Sequence, residues 1–210
     1  MPRRDATATK DRARTMPTDI MPKAATIRYS HRPKPFAAEL ELELTAHELI
    51  ATRGRSIQRF PLTAIERVNL RFSPRNTAHR AFACSVRATD GKSVTFDSLS
   101  WKSLIETEKQ NDDYTRFVTA LCARAEQARP QVELVAGVPA WKFWGMLVAG
   151  LATLAALFAM AIYSLIDRSW FAAGLAVALF GYLGFWMRDY LTRNRPARFQ
   201  AGAMPPPVLP

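Results

Sequence analysis

Two uncharged apolar runs constrain this chain more than anything else in it. "FWGMLVAGLATLAALFAMAIYSLI" covers residues 143–166 and "WFAAGLAVALFGYLGFWM" covers residues 170–187, with only "DRS" between them. At about 1.5 Å per helical residue the first reaches roughly 36 Å, enough to cross the hydrocarbon core of a bilayer with some tilt. The second is near the lower length limit and gains reach from Tyr190 and a snorkelling Arg188. As core helices of a soluble protein, both would need apolar surroundings on every side, and the rest of the chain is too small a domain to supply them. The expectation is a transmembrane hairpin over 141–191, antiparallel because the connection is so short.

Flanking charge gives the hairpin a direction. Asp167 and Arg168 cancel in the turn, whereas Lys142 precedes the first run and Arg188, Arg193, Arg195 and Arg198 follow the second. Cytoplasmic flanks collect Lys and Arg, so both chain ends are expected in the cytoplasm and the "DRS" turn outside. Trp141, Trp144 and Trp186 then serve as anchors at the inner interface and Trp170 at the outer one. Gly145, Ala149 and Thr153 recur every four residues on the first run, and Gly174 and Ala178 on the second. Such spacing lets helix backbones approach, and it is read as the contact between the two spans, with a homo-oligomer as the alternative use. Neither run contains a charge, which argues against a channel, pump or proton relay.

The net charge of +11 is unevenly distributed. Nine Lys/Arg against three Asp make residues 1–35 +6. Fourteen against twelve acids make residues 36–130 +2, and six against three make residues 131–210 +3. A nucleic-acid-binding domain would concentrate its positive charge on the folded part, and the nearly neutral middle argues against one. Residues 1–23 read as a disordered basic arm without the apolar run of a secretory signal.

Residues 24–130 read as a β domain closed by a helix. "AAELELELT" alternates strictly, with Leu40, Leu42 and Leu44 on one face and Glu39, Glu41 and Glu43 on the other. "ELIATR" and "RSIQRFPL" flank Gly54 as a hairpin. In "AIERVNLRF" the step from Ile65 to Val68 is three, which asks for a bulge before the alternation resumes at Leu70 and Phe72. "AFACSVRAT" and "SVTFDSL" form a second hairpin around Asp90 and Gly91, and "TIRYS" adds a strand. The period then changes: Tyr114, Phe117, Val118, Leu121, Cys122 and Ala125 trace one helix face. Asn111 is the expected N-cap, Asp112 and Asp113 suit the positive end of the helix dipole, Arg124 and Arg129 the other end, and Pro130 the stop. Residues 131–140 read as a linker and 192–210 as a Pro- and Arg-rich tail.

"LIATRGRSIQRFPLTAIERVNLRF" and the helix "YTRFVTALCARAE" resemble the bacterial pleckstrin-homology-like pattern. Over roughly residues 24–200, the order of β domain, "SW" segment, helix, Trp-flanked hairpin and "NRPARF" resembles a group of proteobacterial inner-membrane proteins without an assigned activity. The resemblance implies an α+β chain: an antiparallel pleckstrin-homology-like β-barrel or sandwich with a C-terminal capping helix, followed by the hairpin, in a bacterial inner membrane. It also implies a binding module. Many members of the wider superfamily bind phosphoinositides through a basic loop between the first two strands. Here that loop, near "TAHE", has no Lys or Arg.

The basic residues lie instead in "RGR" and "RFSPRNTAHR". Arg53, Arg55, Arg75 and Arg80 are the candidate contacts to anionic lipid or to a membrane-protein partner. A glycine-rich phosphate loop is lacking. The acids of "ETEKQNDD" read as a solvated connection and helix start. Ser98, Ser100 and Ser103 lack the logic of a nucleophile. His31, His47 and His79 read as surface or turn residues without ligand spacing, and Cys84 and Cys122 as core residues without a disulfide. No catalytic residue, metal or cofactor is expected. The functional expectation is a membrane-anchored, non-enzymatic binding or scaffold module, or else an accessory subunit of a larger membrane complex. The tail "AMPPPVLP" is a candidate polyproline-type ligand, with a disordered end as the simpler reading.

Overall fold

The computed structural model describes residues 26–74, 80–103, 106–205 and 209. The fold is α+β. Strands β1 (Ile27–His31), β2 (Leu40–Leu44), β3 (Glu48–Arg53) and β4 (Ser56–Pro61) pair antiparallel in chain order. A 3-10 turn, Leu62–Ala64, leads into β5 (Ile65–Phe72), which pairs with β6 (Phe82–Ala88), and β6 with β7 (Ser93–Asp97). The short strands β8 (Leu99–Trp101) and β9 (Thr107–Lys109) pair with each other and lead into helix α1 (Asn111–Ala128). Then follow β10 (Glu133–Ala136), α2 (Ala140–Ile166), α3 (Trp170–Arg193) and β11 (Ala197–Arg198).

Alternation dictates the strands. Leu40, Leu42 and Leu44 are buried, and their neighbours face outward. The bulge asked for by the Ile65–Val68 spacing is present as a register shift between Ile65 and Arg67. Gly54 and Gly91 turn their hairpins with φ of 59° and 84°, a region side chains avoid. On α1 the buried residues are Tyr114, Phe117, Val118, Leu121, Cys122 and Ala125, the apolar face of the sequence. Phe96 packs between the rings of Tyr114 and Phe117, at centroid distances of 6.0 and 5.6 Å. Enclosing each such side chain contributes roughly 1.5–3 kcal/mol, so α1 is held by its face rather than by its ends.

Several expectations are corrected. Of the barrel or sandwich expected, the closed barrel is not formed: the two larger sheets are open, and the second is mixed, because β10 runs parallel to β5. Residues 131–140, expected as a linker, therefore contain a core strand. Leu134 and Ala136 are buried, and Glu133 lies beside Arg67 across the pair, with Arg67 Nε donating at 2.8 Å. The expected tail supplies β11, which pairs with β10 as the sheet edge, and Phe199, Ala201 and Met204 pack on the core. The physical reason is the edge of β5, which would otherwise present bare amides beside an apolar core. The N-cap of α1 is Gln110 rather than Asn111. Arg124 does not serve the end of its own helix: its Nη1 donates to the carbonyls of Leu44 and Thr45 at 3.1 and 2.9 Å. His31 is no surface residue. Strand parity puts it beside Tyr29 on the inner face, fully buried, where its Nε2 accepts the Asp97 amide at 3.3 Å.

The hairpin is built the other way round. α2 and α3 are each long and apolar enough to cross a membrane, yet only 6% and 11% of their most apolar windows are buried. Arg168 makes the turn with φ of 56°. The enclosed side chains are small, Ala161 and Ser164 on α2 and Ala173 and Ala176 on α3. Gly150 lets Met187 lie against the α2 backbone, since a Cβ there would sit 2.1 Å from its sulfur. Gly145, Ala149, Thr153, Gly174 and Ala178, read as the contact between the spans, are all exposed. The seam instead follows Gly150, Leu154, Leu157, Ala161 and Ser164, a three-and-four spacing that keeps one stripe facing the partner helix.

Candidate functional site

The "RGR" turn joins β3 to β4, with Arg53 paired to Ser56. Strand parity makes Phe60 the inward residue of β4, so Ile57 and Arg59 face outward. Ile57 is 61% exposed, and Arg59 bonds Glu48 at 3.0 Å. The loop between β1 and β2 lies against this turn: a Cβ on Gly54 would be 3.6 Å from Ala38 Cβ. That loop, and not "TAHE", which joins β2 to β3, is the connection between the first two strands; contrary to the expectation it carries Arg32 and Lys34, with Phe36 85% exposed. Beside the basic turn the structure thus exposes Ile57, two residues after Arg55, and on the adjoining loop Phe36, two residues before Ala38. Sequence reasoning missed both. Ile57 was legible by counting back from Phe60, whereas Phe36 follows "RPKP" and has no periodicity to betray it.

The four candidate arginines do not share one place. Arg53 borders a cleft with Ser56, Gln58 and Ser93–Thr95, beside the half of β7 nearest the Asp90–Gly91 turn. Arg80 sits at the other end of that sheet, where its Nη2 is 4.0 Å from Asp189 on α3. Arg75 lies outside the described residues. Arg71 is exposed on β5. The tryptophans bracket the hairpin. Trp141 and Trp144 open α2 and Trp186 sits near the end of α3, stacked on Tyr190 at 5.5 Å, while Trp170 starts α3 at the opposite end. All four are exposed.

Between domain and hairpin lies a junction that sequence reasoning did not single out. Gly137 has φ of 79°, and its amide donates to Leu70 O at 2.7 Å. A Cβ on it would stand 2.4 Å from Asn194 O. The Val138 amide donates to that same carbonyl at 3.1 Å, and Asn194 Nδ2 donates to Phe72 O at 2.9 Å from a fully buried side chain. Both flanks of the hairpin are thereby fixed to the C-terminal end of strand β5, at Leu70 and Phe72. Arg193 adds a cation–π contact over Phe72 at 5.1 Å and an ion pair with Asp189 at 2.9 Å.

The three serines named in the sequence accept backbone amides. Ser98 Oγ accepts the Phe82 amide, Ser100 Oγ the Arg32 amide and Ser103 Oγ the Glu106 amide, at 3.0, 3.0 and 3.1 Å. Burial pushes the Cys122 thiol up to about 12 and the Cys84 thiol well above its ordinary value, so neither is poised as a thiolate. Glu108 pairs with Lys102 and Asp113 with Arg116. No metal-holding cluster of His, Cys, Asp or Glu occurs among the described residues. No protein-family model matches the chain, and no curated protein matches it.

Proposed function

We propose that this chain is a membrane-anchored, non-enzymatic binding module. In this reading the β domain is pleckstrin-homology-like, the hairpin spans a bacterial inner membrane, and both chain ends are cytoplasmic. The observation that carries it is the bareness of α2 and α3: large apolar side chains cover their outside, and the only positions buried between them, among the described residues, are the small Ala161, Ser164, Ala173 and Ala176. In water such a surface would be an aggregation hazard, and in a bilayer it is the ordinary exterior of a span. The presented surface is the "RGR" turn, where Arg53 and Arg55 sit with Phe36 and Ile57. Charge with exposed apolar groups suits lipid headgroups or a protein partner better than a reaction.

An accessory subunit of a larger membrane complex is the second reading, supported by the small residues Gly145, Ala149 and Thr153 left exposed on α2. Two measurements test the proposal. Alkaline washing of membranes should leave the full chain in the pellet, and its release would contradict the membrane reading. Full chain reconstituted in neutral vesicles should capture anionic vesicles or a cytosolic protein. The Arg53→Gln/Arg55→Gln pair should weaken that capture while folding is kept, since exposed substitutions cost under about 0.5 kcal/mol each. Capture indifferent to the pair would remove the turn from the proposal.

A further inference from the structure

A cleft of about 940 Å³ opens where the two ends of the hairpin meet the second sheet. Its walls include Ala136 at the end of β10, Phe143, Trp144 and Leu147 on the opening turns of α2, and Leu191 near the end of α3. Among the described residues no acidic side chain lines it, and Arg193 and Arg195 lie on its rim. The two arginines differ. Arg193 is engaged by Asp189 and by the Phe72 ring. Arg195 forms no ion pair among the described residues. Its backbone is nonetheless fixed, because the preceding Asn194 carbonyl takes the Val138 amide and Asn194 anchors to Phe72.

We infer that this cleft holds one phospholipid with an anionic headgroup, its phosphate against Arg195 and an acyl chain along Phe143, Leu147 and Leu191. The inference rests on the membrane reading, which puts the cleft at the level of Trp141 and Trp144. Two properties select the occupant. The walls are mostly apolar, so a soluble anion would neutralise Arg195 and leave them bare. A zwitterionic lipid would cover the walls and offer a phosphate, but would bring a further positive charge to a rim that already holds Arg193 and Arg195. An anionic amphiphile satisfies both, and basic clefts beside membrane helices on the cytoplasmic side are suited to such headgroups. The volume lies within the range of about 300–1,000 Å³ in which small molecules are held, and the fixed backbone of Arg195 lowers the ordering needed on binding.

The test uses the full chain extracted from membranes in a neutral detergent. It is titrated with phosphatidylglycerol, phosphatidylcholine and glycerol phosphate, and read by thermal melting and by native mass spectrometry. Phosphatidylglycerol should be retained and should raise the melting midpoint, with phosphatidylcholine weaker and glycerol phosphate without effect. Arg195→Gln should weaken phosphatidylglycerol roughly fivefold, the scale of one interfacial charge. Arg195→Lys should restore most of it, and Arg116→Gln on α1 should behave as wild type. Equal response to the two lipids overturns the inference. So does glycerol phosphate matching phosphatidylglycerol, or Arg195→Gln keeping the preference. Release of the chain by alkaline washing would instead defeat the membrane reading before any lipid is added.

Discussion

In the β domain Phe60, Phe96 and Phe117 are fully enclosed, while in the hairpin Phe158, Phe171 and Phe185 stand in the open and the enclosed positions go to Ala161, Ala173 and Ala176. The same residue type is thus sorted in opposite directions within one chain. Burial in water follows the hydrophobic effect, and large apolar groups go inside. In the membrane reading the surroundings of the two helices are as apolar as their seam, that drive vanishes, and close approach of backbones favours small groups at the enclosed positions. The contrast also locates the boundary. At Gly137 and Asn194 the chain passes from one region to the other, and there backbone and side-chain hydrogen bonds stand beside the packing of Tyr190 on the core.

A charge placed on each region should expose the difference most strongly. Phe117→Asp buries an unpaired carboxylate where an aromatic ring stood, and should destabilise the β domain by more than about 3 kcal/mol, seen as loss of the cooperative melt. Arg116→Asp, one residue earlier and outward, should cost under about 1 kcal/mol. The hairpin should invert this order. Leu151 is exposed near the middle of α2, yet Leu151→Asp should cost about 2.5–3.5 kcal/mol in membrane insertion, read as the fraction of chain that resists alkaline extraction. A Leu151→Asp chain that inserts normally would break the comparison.

The junction should come next. Gly137→Ala combines a left-handed backbone, at roughly 1–2 kcal/mol, with a Cβ 2.4 Å from Asn194 O. Gly91 has the same sign of φ but open space around it, so Gly91→Ala should show the backbone strain alone. A melting drop clearly larger for Gly137→Ala confirms that the hairpin flanks are built into the sheet, and equal drops would argue against it.

Smaller effects sharpen the account of the seam. Ala176→Leu overfills an enclosed position and should cost about 1–3 kcal/mol, measured as detergent-dependent melting of the full chain. Ala178→Leu, exposed two residues on, should be neutral for the isolated hairpin. If it disrupts a larger species on gel filtration, the exposed small residues hold another helix.

The smallest effect concerns pH. The hydrogen bond from Arg67 holds the Glu133 carboxyl below its ordinary value of 4.5. Its folded pKa is depressed, so its contribution is full above the unfolded value and is lost as pH falls through the lower folded one. Wild type should therefore lose slightly more stability than Glu133→Gln on acidification below about 4.5, in paired melts.

How far these features were legible depended on periodicity. The strict alternation of Leu40, Leu42 and Leu44, and the helical spacing from Tyr114 to Ala125, each fix a face without outside help, and those faces are the buried ones. Leu134 and Ala136 also alternate, but over four residues between Pro130 and Pro139, which reads as a linker unless the open edge of β5 is known. Small residues every four positions marked a helix contact, but could not say on which side the partner lies. His31 looked like a surface residue because burial of an imidazole depends on an amide, that of Asp97, 66 positions away in the chain. The site was legible as charge and not as placement. The arginines were visible, while the distance between the "RGR" turn and Asp189 is a property of the folded sheet.

A membrane-spanning hairpin requires the "DRS" turn and the β domain to lie on opposite sides of the membrane. The measurement is labelling of single cysteines with a membrane-impermeant maleimide, in Arg168→Cys and Arg55→Cys chains carried on a background where Cys84 and Cys122 are already shielded by burial. In cells with a permeabilised outer membrane and an intact inner one, Arg168→Cys should label and Arg55→Cys should not. Both should label after lysis. Labelling of Arg55→Cys in intact cells, or protection of Arg168→Cys until lysis, would contradict the hairpin and the compartment of the β domain together.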